Sequence, residues 1–237
     1  MNDSPHLYCF GCGSDIAKGL KRIFSNLHKC DSPDIYAIVD NTLVIIEHFA
    51  FDASREVKHG GMERIKKDRQ ARAKIEEAME QGLTEAKVLE LVGAELSFSN
   101  WTLNFENLFD SHYNKIDKYI LNAKNKAQKE QPNEAGNIDT YKVGFFIEEE
   151  YPPIVNRNGK LHELNYYETK QFLNFYSNKS RVDFILFGTC FDSRRRLVYI
   201  DHNYAVDSAK AIDLQSNDVR MSHINRNEIA FSFAFKI

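Results

Sequence analysis

The stretch PDIYAIVDNTLVIIEHFAFD, residues 33–52, constrains the fold more than any other. Two β-rich runs, residues 34–40 and 42–51, meet at Asp40-Asn41, a dipeptide suited to the positive φ angles of a tight hairpin turn. Leu43, Val44, Ile45 and Ile46 follow one another without a polar interruption, so the second run is expected to be covered on both faces and central in its sheet. Asp34 opens the first run and Glu47 stands late in the second. Antiparallel pairing brings these two ends side by side, and two carboxylates aimed at one point repel unless a proton or a cation lies between them. Glu47 also closes an apolar run, where a carboxylate is costly to bury without a partner.

Helical periodicity precedes the ribbon. Residues 14–28 place Ile16, Leu20, Ile23, Phe24 and Leu27 at helical spacing behind a Ser/Asp cap, and DSPD then ends the pattern. Residues 61–92 are helical in pattern, punctuated by Gly82 and Gly93, and a further helix is expected over 106–129 with Leu108, Tyr113, Ile116, Tyr119, Ile120 and Ala123 on one stripe. QPNEAGN reads as a loop, YKVGFFIEEE as a strand and YETKQFLNFYSNK as a short helix. VDFILFGTCF and RRLVYIDHN read as a strand pair joined through residues 192–195, and IAFSFAFKI as an edge strand at the C-terminus. This order predicts an α/β fold, a mixed sheet flanked by helices, formed as a single domain over residues 1–237 with a helical insertion at about 61–130.

A net charge of −3 excludes a globally basic nucleic-acid coat protein, but charge is segregated locally. Between residues 55 and 74 stand eight basic residues, among them Lys58, Arg64, Lys66, Lys67 and Arg69, against Glu56, Glu63 and Asp68. A second excess falls on Lys115, Lys118, Lys124, Lys126 and Lys129, and a third on 194–196. No run approaches the roughly 18 apolar residues that cross a bilayer, and the N-terminus lacks a basic segment followed by an apolar one, so the expectation is a cytoplasmic protein with no membrane partner. Cys9 and Cys12 form C-x2-C, which with Cys30 and either His6 or His28 would complete a four-ligand zinc site. A second C-x2-C or an H-x3-H pair is missing, and free thiols are the favoured reading.

Helix, hairpin with Pro33-Asp34 opening its first strand, Glu47 thirteen positions on, then helix and further strands: this succession resembles the PD-(D/E)xK nucleases, the restriction-endonuclease-like superfamily. The resemblance rests on residues 13–75 by motif and on strand order beyond them. It implies a restriction-endonuclease-like mixed sheet, with Asp34 and Glu47 holding magnesium or manganese in an endonuclease or exonuclease that hydrolyses phosphodiester bonds by activated water, in DNA ahead of RNA. It also implies a lysine two residues after Glu47, and here that residue is Phe49. Lys58 is the first replacement and Lys66 the second, while Arg64, Lys66, Lys67 and Arg69 would meet phosphate. His48 is expected on the opposite strand face. His59 and Asp52 read as structural residues, Asp15 as a helix cap or a third carboxylate, and Glu148 to Glu150 as a solvated strand end. The alternative function is a catalytically inactive nuclease-fold module that binds nucleic acid or protein, with Phe49 marking the lost site.

Overall fold

In the computed structural model the ribbon is the hairpin its composition calls for. The model describes residues 6–9, 14–51, 70, 73, 74, 76–78, 80–83, 98–149, 154–157, 160–163, 166–189, 196–202 and 219–220. Strand β1 (His6–Cys9) and helix α1 (Ser14–Ser25) lead to β2 (His28–Lys29), β3 (Ile35–Val39) and β4 (Thr42–Phe51). Asp40 and Asn41 sit at φ 48° and 59°, the two left-handed residues of a tight turn whose twist matches the flanking strands. The register Val39↔Thr42 to Ile35↔Ile46 leaves Asp34 beside Glu47.

Two helices follow, α2 (Phe98–Tyr113) and α3 (Ile116–Glu130), then a short α4 (Pro132–Ala135) and β5 (Thr140–Glu149). The single helix expected over 106–129 is therefore broken at Asn114 and Lys115, which form a turn closed by hydrogen bonds to Asp110 and His112 carbonyls. Neither residue is Gly or Pro, and the apolar stripe continues through the break, so periodicity alone carries no sign of it. After β6 (Ile154–Arg157) and β7 (Lys160–Glu163), a 3₁₀ turn at Tyr166–Glu168 precedes α5 (Lys170–Ser177), which leads to β8 (Phe184–Thr189), β9 (Arg196–Asp201) and β10 (Val219–Arg220). The sequence reading missed β1, β2, β6, β7 and β10, and the expected C-terminal edge strand lies outside the described residues.

The described residues form two compact units. The first holds a seven-stranded mixed sheet in the order β1-β9-β8-β5-β4-β3-β2. Here β4 is antiparallel to β3 and parallel to β5, and β5 is parallel to β8. Leu43 to Ile46 are buried, as an uninterrupted apolar run in a central strand should be. Alternation splits this run between two faces. Val44 and Ile46 join Leu20 of α1, Ala37, Phe184, Leu186 and Tyr199 in one cluster, with Ile23 and Leu27 packed on it. Phe24, expected on the same stripe, is instead exposed. The other face carries Phe49 and Phe145, covered by Phe109 of α2, which meets Phe145 edge-on at 4.9 Å. On α3 the buried residues Ile116, Tyr119, Ala123 and Ala127 recur at helical spacing.

The second unit holds β6, β7 and β10 in a three-stranded antiparallel sheet. It also contains the Phe105, Tyr166 and Phe172 rings, packed edge-to-face. Gly82, at φ 70°, closes its preceding helical turn: the Leu83 amide returns to the Ala78 carbonyl and the Gln81 amide to Glu77. No helix among the described residues is long and apolar enough to cross a membrane.

Candidate functional site

The candidate site is built where β3 begins and β4 nears its end, on the face of the sheet opposite α1. Asn122 of α3 donates its side-chain amide to the Ser32 carbonyl at 2.8 Å, and the Cys30 amide donates to the Asp34 carbonyl at 2.7 Å. These bonds fix the approach to β3. The Asp34 carboxylate accepts the His48 backbone N–H through Oδ2 at 2.8 Å, which ties the start of β3 to the strand that carries Glu47. Asp34 is exposed, whereas the Glu47 side chain is only 12% exposed.

Two residues that sequence reasoning did not assign to the site complete the cluster: His112, and Tyr119, which was expected only on the apolar stripe of its helix. Tyr119 of α3 donates its hydroxyl to Glu47 Oε1 at 2.8 Å, and His112, at the end of α2, places Nδ1 at 3.0 Å from the same oxygen. His112 Nδ1 also lies 3.1 Å from the Tyr119 hydroxyl oxygen. On an uninterrupted helix these residues would stand on one face but about 10.5 Å apart along the axis. The turn at Asn114 and Lys115 closes that gap. Phe49 supports the imidazole, its ring parallel to His112 at 4.3 Å with an interplanar angle of 13°.

Electrostatics favour a charged Glu47. Burial alone would raise its pKa, but hydrogen bonds from His112 and Tyr119, the His112 charge and the Asp34 amide outweigh burial and hold it below the ordinary glutamate value. Tyr119 is pushed the other way, by burial first and then by its bond to Glu47 and the nearby Asp34 charge, so it remains a neutral donor.

His48 lies on the opposite face, as strand alternation requires. It stacks on Phe146 at 5.0 Å and meets the Glu148 carboxylate at 3.0 Å through Nε2. Glu148 is thus engaged by the His48 ring at the strand end. Lys58, Arg64, Lys66, Lys67 and Arg69 lie outside the described residues, as do Asp52, His59 and Cys12, and Asp15 and Cys9 are described only in their backbone. Cys30 is a buried free thiol. It directly follows β2 at one edge of the sheet, whereas Cys9 ends β1 at the other, six inter-strand spacings or roughly 29 Å away. The structure does not bring these two thiols together.

Among the described residues no group of three or more His, Cys, Asp or Glu side chains is placed to hold a metal ion. Asp34 and Glu47 are hard oxygen donors of the kind that suits magnesium, a cation that binds through one or two carboxylates and fills its remaining positions with water and substrate phosphate. The soft or nitrogen-rich set that zinc prefers is not gathered here. No protein-family model matches the chain, and no curated protein and no solved structure matches it.

Proposed function

We propose that the chain is a divalent-metal-dependent phosphodiester hydrolase acting on nucleic acid, DNA ahead of RNA, with a restriction-endonuclease-like core. The observation that carries this reading is the juxtaposition of Asp34 and Glu47 across the hairpin, with Glu47 kept ionised although its side chain is largely buried. The succession of α1, three antiparallel strands, a helical crossover and the parallel strand β5 supports it. Asp34 and Glu47 would hold the metal. Magnesium or manganese, when bound, supplies Lewis-acid charge and an activated water. Asp34 presents its carboxylate towards solvent, where a phosphate can approach. Glu47 contributes fixed negative charge, and Tyr119 and His112 prevent that carboxylate from turning away or taking up a proton. Lys58 is the proposed cation for the transition state, with Arg64, Lys66, Lys67 and Arg69 on the phosphate backbone.

The test is cleavage of mixed single- and double-stranded DNA with magnesium or manganese, comparing wild type with Asp34→Ala and Glu47→Ala. Metal-dependent cleavage by the wild type is expected, with a loss on the order of 100-fold or more in each variant, because metal charge stabilisation contributes several kcal/mol. Absence of metal-dependent cleavage by the wild type would remove the hydrolase. Phe49 favours a second reading, a binding module without catalysis, because a buried aromatic stands where the resemblance implies lysine. That module would bind DNA in a salt-sensitive way that survives Glu47→Ala and needs no metal.

A further inference from the structure

We infer that His112 and Tyr119 form a positioning pair that compels Glu47 to ligate its cation through one oxygen only, and so sets which divalent cation the site accepts. This rests on the reading of Asp34 and Glu47 as metal ligands. The argument counts lone pairs. An ionised carboxylate is acceptor-only, with two lone pairs on each oxygen. Tyr119 gives its proton to Glu47 Oε1, so its own oxygen faces His112 as an acceptor. His112 Nδ1 therefore meets two acceptors, Glu47 Oε1 at 3.0 Å and Tyr119 Oη at 3.1 Å, and must itself carry the hydrogen. Both lone pairs of Oε1 are occupied. Oε2 keeps its lone pairs for a cation and Oε1 does not.

Three features hold the pair in place. The Phe49 ring lies flat against the imidazole, the helix break brings residue 112 to residue 119, and the His112 and Glu47 side chains are 16% and 12% exposed. Phe49 thus becomes the platform for a group delivered from α2. A carboxylate limited to one oxygen suits a small octahedral cation, whereas calcium, with six to eight oxygen ligands, gains from two-oxygen carboxylate binding. Outer residues of this kind commonly change metal affinity by about 10- to 100-fold.

The experiment is calorimetric titration of the purified full chain with Mn2+ alone and with Ca2+ alone, for wild type, His112→Ala, Tyr119→Phe and His112→Asn. Asn carries an amide N–H close to where Nδ1 stands. The expected result is that His112→Ala and Tyr119→Phe each weaken Mn2+ binding by about 10-fold or more while Ca2+ binding falls less, narrowing the preference, and that His112→Asn recovers most of it. Tyr119→Phe removes a single oxygen, so the test survives even if His112→Ala fails to fold. Wild-type Mn2+ affinity and wild-type preference in both Tyr119→Phe and folded His112→Ala would overturn the inference while leaving the metal site standing. No Mn2+ binding by the wild type would instead remove the metal-dependent hydrolase on which it rests.

Discussion

At the scale of single residues, the site shows which half of a long-range cluster a sequence can reveal. Asp34 and Glu47 are legible because they break apolar runs thirteen positions apart on one ribbon. His112 and Tyr119 are not, because they reach Glu47 across 65 and 72 positions of chain, and one sits at a helix end that nothing in its own neighbourhood marks. Removing the Tyr119 hydroxyl leaves a largely buried carboxylate short of a donor. Tyr119→Phe should therefore lower stability by about 1.5–3 kcal/mol, read as a fall in the urea midpoint at unchanged slope. Asp183 behaves differently. Its carboxylate accepts the Val143 amide at 2.7 Å, yet burial first, and the Asp201 charge besides, raise its pKa above the ordinary aspartate value of 3.8. The folded form thus holds its proton to higher pH than the unfolded chain does, and stability falls as pH rises through that window. Asp183→Asn keeps an acceptor for Val143 without the charge, so it should be more stable than wild type at neutral pH. The gap should close as pH drops below 3.8, and paired thermal melts at neutral and acid pH would show it.

At the scale of elements, the turn and the central strand follow from local rules, and the helix break does not. Asp40-Asn41 and the run from Leu43 to Ile46 announce their structures, because φ preference and unbroken apolarity are local properties. The pair β6 and β7 also carries a readable sign, Asn158-Gly159 between two short runs. Close strand packing sets a demand that sequence shows less directly. A Cβ on Gly144 of β5 would stand 2.2 Å from the Phe184 ring, which is buried and stacked on Tyr199 at 5.5 Å. Gly144→Ala should then cost about 1–3 kcal/mol, visible as a lower melting temperature. Phe49→Lys, which restores the residue that the nuclease resemblance implies, should destabilise the fold on the order of 3 kcal/mol, the scale of losing a buried phenylalanine. It should add no cleavage, because His112 loses its platform. An equally stable and more active Phe49→Lys enzyme would show that the ring is not a support.

At the scale of the molecule, the mixed α/β class was legible because strands and helices alternate along the chain. The division of the described residues into two units was not, since each draws on three separate stretches of sequence. Amide exchange should be slowest in β4, β5 and β8, whose backbone bonds are shared with strands on both sides, and faster in β2 and β10 of two residues each. One pairing has a further consequence for how the chain is made. Thr42 of β4 lies beside Thr140 of β5, ninety-eight positions away. At about 5–20 residues per second, a ribosome would release that partner roughly 5–20 s after the hairpin has emerged. During that interval the newborn ribbon offers an oily, unpaired flank to any other nascent copy, so yield in the cell should depend on chaperone supply and on the speed of translation.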